Sequence, residues 1–80
     1  MITVSPKTPI DTLARTLGQN IRRHRCASCC SQEELSARIG IHYTYLGHIE
    51  RGTRLPSLCT LKRIAKALSV SLSALLRGAK

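Results

Sequence analysis

The apolar residues of this 80-residue chain recur at helical spacing in short runs, and a glycine, serine or proline cuts off each run before it grows long. That punctuation confines the fold to short helices and tight turns. Leu13, Leu17 and Ile21, with Ala14 beside them, make one stripe at spacing four, and Arg15, Gln19, Arg22 and Arg23 fall off it. Thr8 is placed to cap this helix, Pro9 suits its first position and Asp11 favours its positive end. The periodicity stops around Ala27 to Cys30. Ser31-Gln32-Glu33-Glu34 then restarts it with a capping box, in which Ser31 reaches forward and Glu34 back. Leu35, Ser36 and Ile39 follow, and Gly40 supplies the left-handed turn that ends the second helix.

A third helix is predicted from about His42 to Glu50, with Leu46 and Ile49 three apart, Ile41 packing at its start and Gly52 closing it. In the loop 53–57 (TRLPS), Pro56 bars helix and Ser57 offers the next cap. Leu58, Leu61, Ile64, Ala65 and Leu68 form the stripe of a fourth helix. Ser71 caps a last short helix carrying Leu72, Leu75 and Leu76, which Gly78 stops. Residues 1–8 read as an arm, 9–78 as one domain and 79–80 as a tail, with no length left for a second domain. Five helices and no strand pattern make the domain all-α. Its core must be aliphatic, because Phe and Trp are absent and the two aromatics are Tyr43 and Tyr45.

Thirteen Lys and Arg stand against four Asp and Glu, a net charge of +9. An excess this large on a small domain points to a polyanionic partner, with nucleic acid ahead of an anionic membrane surface. No apolar run approaches the roughly 18 to 20 residues of a membrane span, and no secretory leader is legible, so no membrane partner and a cytoplasmic location are expected. The charge is uneven. Residues 1–30 carry +4 and 53–80 carry +6, but residues 31–52 carry −1. With four acids, two of them adjacent at a helix start, no carboxylate pair, nucleophile with base or phosphate-cradling glycine loop is found. No enzyme and no cofactor are expected.

The informative unit is helix, glycine turn, helix, from Gln32 to Gly52. Leu35, Leu46 and Ile49 bury its contact, Ser36 is small where two helices cross, and Gly40 makes the turn. A helix-turn-helix of this kind places its second helix in the DNA major groove while the first lies across the backbone. On SQEELSARIG, YLGHIERG, LPS and TLKRIAKALSVSLSALL, the chain from about Leu17 to Leu76 resembles the Cro/phage-repressor family, the xenobiotic-response-element type of helix-turn-helix regulators. The resemblance implies a five-helix lambda-repressor-like domain with helices two and three as its helix-turn-helix.

It also implies roles for residues. Gln32 matches a glutamine that touches a phosphate, and Arg25 with Glu50 matches a pair that clamps helix one to helix three. The base-reading positions correspond to His42, Tyr43, Thr44, Gly47 and His48. Arg51 and Arg54 fall where the family touches the DNA backbone, with Arg22 and Arg23 on the opposite shoulder; Lys62, Arg63 and Lys66 lie on the exposed side of helix four. His42 replaces the usual Ser or Thr cap, which is expected to fray the first turn of helix three. Ser69 replaces a usual Gly or Asn, and Gly47 leaves a gap in the recognition face. No Arg-to-guanine or Gln/Asn-to-adenine fork is legible. Tyr45 points elsewhere, either as a partly buried ring or as a phosphate contact.

Double-stranded DNA is therefore the expected partner, bound by a homodimer on a palindromic site, with Leu72, Leu75 and Leu76 as the dimer surface. Two other readings remain: an antitoxin or adaptor that docks a protein partner and touches DNA secondarily, and a thiol- or metal-responsive DNA binder. The last draws on Cys26-Ala-Ser-Cys29, a spacing that can grip zinc. It lacks a second such pair, and His42 and His48 stand about 240° apart round a helix. Cys30 reads as a small core hydrophobe, Cys29 as a turn residue and Cys59 as exposed, so no metal site is expected.

Overall fold

The computed structural model describes residues 9–78. The arm, the tail and the Thr8 cap lie outside them. Five helices follow in order: α1 (Pro9–Ala27), α2 (Gln32–Ile39), α3 (Tyr43–Arg51), α4 (Leu58–Leu68) and α5 (Leu72–Leu75). Among the described residues there is no strand.

Local chemistry sets most boundaries. Ser31, Ser57 and Ser71 each accept a hydrogen bond from the backbone N–H three residues on, a cap typically worth about 1 kcal/mol. At α2 the box is complete, since Ser31 N–H donates to Glu34 Oε1 at 2.8 Å. That bond draws the Glu34 carboxyl below its ordinary value. Gly40 and Gly52 end α2 and α3 at φ 76° and 80°, a region that costs glycine little. Cys29 (φ 54°) and Ser69 (φ 58°) take the same conformation without being glycine. His42 corrects one expectation. Its Nδ1 accepts from Thr44 N–H at 3.1 Å, so the imidazole caps α3 in place of a hydroxyl and the helix begins at Tyr43.

Ile21, Leu35, Leu46, Ile49, Ile64 and Leu75 are fully buried, each contributing about 2 kcal/mol of transfer free energy. Ile41, Tyr45, Ala67, Val70 and Leu72 pack against this aliphatic cluster. Cys30 is buried within it, its thiol donating to the Ser31 carbonyl. Leu58 does not join it. It is 67% exposed, because the first turn of α4 projects beyond the body that Leu61 and Ile64 meet. Leu75, expected on a dimer surface, is also corrected, since it fills the core. Leu76, at 38% exposure, remains outside.

Two contacts of α1 fix how closely its neighbours lie. A Cβ on Gly18 would sit 2.3 Å from the Ile49 carbonyl oxygen and 2.6 Å from that of Glu50, so α1 and α3 meet backbone to backbone there. Ser36, read as the small residue where the two helices of the glycine turn cross, is buried, and its hydroxyl donates to the Glu33 carbonyl within its own helix. Buried Asn20 makes the second contact. Its Nδ2 donates to the carbonyls of Leu75 (2.8 Å) and Arg77 (2.9 Å), holding α5 against α1.

Candidate functional site

The surface that α3 turns outward is made by what it turns inward. Leu46, Ile49 and Glu50 face the body and are buried, which leaves Tyr43, Thr44, His48 and Arg51 on the other side. Glu50 is the unusual member of the buried set. Its side chain is 2% exposed and that of Arg25 is 12% exposed, so the carboxylate must be matched by donors or pay heavily for lost water.

Three N–H groups match it. Arg25 Nε donates to Oε2 at 2.6 Å, Arg25 Nη2 to Oε1 at 3.0 Å and Gln32 Nε2 to Oε1 at 2.9 Å. Arg25 Nη1 donates further to the Cys30 carbonyl at 2.8 Å. The hydrogen bonds it donates to Glu50 hold the Arg25 guanidinium above its ordinary value, against the opposing effect of burial. The Arg25–Glu50 pair, with Gln32, thus ties together the end of α1, the turn before α2, the start of α2 and the end of α3. Gln32, expected to face a phosphate, spends one amide hydrogen on this lock and keeps the other.

On the outward face His42, Tyr43 and Thr44 are exposed, and His48 is half-buried. The His42 and Tyr43 rings stack at 4.6 Å with 24° between their planes. Because His42 Nδ1 accepts from Thr44, the hydrogen of the neutral ring is on Nε2. His48 Nδ1 lies 3.0 Å from Thr53 Oγ1 and 3.4 Å from Arg51 Nη2.

Gly47 departs from what was expected of it. It is buried, and a Cβ there would lie 3.2 Å from Arg51 Nη1 and 3.7 Å from Gln32 Oε1. It offers no contact of its own, and its missing side chain is covered by the Arg51 guanidinium. Arg51 lies back along α3 rather than extending past its end.

The remaining basic residues separate. Arg54 is exposed in the loop after α3, Arg22 is exposed on α1, and Lys62, Arg63 and Lys66 line the outside of α4. Arg23, expected on the shoulder with Arg22, donates from Nη2 to Asn20 Oδ1. It is therefore turned to the α1–α5 junction. Sequence reasoning missed both Asn20 and Gly18. Asn20 lies three residues after Leu17 and one before Ile21, within the buried stripe, and that placement was the available signal.

Cys26, Cys29 and Cys59 are exposed and all four cysteines are free. Among the described residues no group of three or more His, Cys, Asp or Glu could hold a metal ion. No helix among them is long and apolar enough to cross a membrane.

Comparison with known proteins places this arrangement among others. A family model described as helix-turn-helix matches residues 21–75. Control protein C.SmaI of Serratia marcescens is 43% identical over 60 residues, covering 75% of this chain and 71% of its own. Among solved structures, the restriction-modification controller protein C.AhdI from Aeromonas hydrophila superposes with a TM-score of 0.72 at 37% identity, covering 75% of this chain and 91% of that one. SinR, a master regulator for biofilm formation solved in complex with DNA, gives 0.71 at 34% identity, over 75% and 97%.

Proposed function

This chain belongs to the Cro/C1-type helix-turn-helix family, and from that membership we propose that it is a DNA-binding transcriptional regulator whose α3 reads the major groove. The observation that carries the reading is the lock on Glu50. It fixes α1, α2 and α3 as one body and leaves an outward face of His42, Tyr43, Thr44 and His48, polar groups able to hydrogen-bond base edges.

Charge fits the division of labour. Residues 31–52 are nearly neutral while the flanks carry the excess, so Arg22 and Arg54, with the second amide hydrogen of Gln32, hold phosphates while α3 reads. One short helix reads few bases, so the chain works as a two-fold dimer on half-sites about one helical turn apart. Leu76, with the edge of Leu72, serves the dimer contact. The cysteines take no part, and no cofactor is needed.

Selection of bound duplexes from a random pool, followed by a salt titration on the winner, tests this. Affinity should fall steeply with salt through counterion release, and Tyr43→Ala with His48→Ala should flatten the sequence preference. Salt-insensitive binding, or an unchanged preference in that double variant, rejects it. So does co-purification of a stoichiometric protein partner together with weak, non-specific DNA binding.

A further inference from the structure

We infer that Arg51 reads a guanine from the outward face of α3. This rests on the proposal that α3 enters the major groove. A long helical side chain leans toward the N-terminus of its helix and covers the turn before it. Arg51 does so without obstruction, because the residue it covers is Gly47. Its guanidinium takes the place a side chain at position 47 would have filled, in the middle of the recognition surface and bracketed by Gln32 Oε1. A guanidinium serving a phosphate beyond the end of α3 would have to leave that place.

The guanidinium can only donate. It lies 3.4 Å from His48 Nδ1, whose nearer partner is the Thr53 hydroxyl at 3.0 Å; that hydroxyl gives its one hydrogen to the His48 carbonyl at 3.1 Å and is left as an acceptor. His42 carries its ring hydrogen on Nε2 through its cap on Thr44. One guanidinium fork and one imidazole N–H therefore face outward. In the major groove guanine alone presents two adjacent acceptors, O6 and N7, whereas adenine and cytosine present an amino donor that would oppose these groups.

The test uses the full chain and a selected duplex in which each guanine is replaced in turn by 7-deazaguanine, which lacks the N7 acceptor. One guanine in each half-site is expected to lose roughly tenfold in affinity on replacement. Arg51→Ala and Arg51→Lys should both erase that difference, the lysine because it keeps the charge and loses the fork. Survival of the guanine preference in either variant overturns the assignment. An equal loss on selected and random duplexes in Arg51→Ala, with the salt slope reduced by about one, identifies a phosphate contact and also overturns it. A wild-type chain that does not distinguish the selected duplex from a random one rejects the groove reading, and this inference with it. One that distinguishes them and keeps its guanine preference without Arg51 rejects this inference alone.

Discussion

Two polar clips leave α1 for different parts of the molecule. Arg25 reaches α3 through a charged, buried carboxylate, while Asn20 reaches the end of the fold through neutral carbonyls. They do unlike work. The Asn20 bonds satisfy backbone groups that a four-residue helix cannot satisfy itself, so they secure α5 with little consequence for the orientation of anything else. The Arg25 bonds hold a buried carboxylate of α3 that Gln32 also grips, and they thereby fix the rotation of α3 about its own axis. A neutral clip adds hold, and a charged one adds direction.

The largest effect expected from breaking this contrast is in Glu50→Ala. Removing the carboxylate leaves the Arg25 guanidinium without its partner in a largely dry site, and about 3 to 5 kcal/mol of stability should be lost in urea denaturation. Next is Gly18→Ala. The methyl meets backbone rather than a movable side chain, so α1 and α3 must part at a cost of about 3 kcal/mol. A loss in DNA binding larger than the loss in folded population is the accompanying sign that α3 has moved. Asn20→Ala should cost about 2 kcal/mol through two orphaned carbonyls. It should leave the sequence preference intact, and a changed preference would show that the two clips are not separable.

The smallest effect sharpens the contrast with a third, solvent-exposed clip. The Glu34 carboxyl is held below its ordinary value of 4.5 by Ser31. Its contribution is therefore complete above that value and is lost as pH falls through the lower folded-state value. Glu34→Gln keeps an acceptor for Ser31 N–H but does not titrate there. Between neutral pH and pH 3 its melting temperature should fall slightly less than that of the wild type, measured by circular dichroism.

The features legible in the sequence are those whose cause lies within a few residues. Serine caps, the capping box and the two left-handed glycines all follow from local backbone groups left without partners. What was not legible depends on distant chain. Whether Leu75 or Leu76 enters the core is decided by where Asn20 holds the last turn, 55 residues away in sequence. Leu58 matched the α4 stripe by period and was left outside because nothing packs over that turn. Gln32 and Arg51 were assigned to phosphates from their positions, but the direction a long side chain takes depends on its neighbours. Gly47 was seen as a gap, and nothing in the local sequence says what fills a gap.

The backbone contact at Gly18 has a consequence for how binding sites of unequal quality are told apart. Packed side chains can change rotamer, but two main chains in contact cannot, so in the proposed groove-reading mode α3 is held against rocking to suit an imperfect site. In that mode accommodation falls to the duplex, through the bending and groove width its sequence permits. Base steps the protein never touches then enter the choice of site, through the energy needed to deform them.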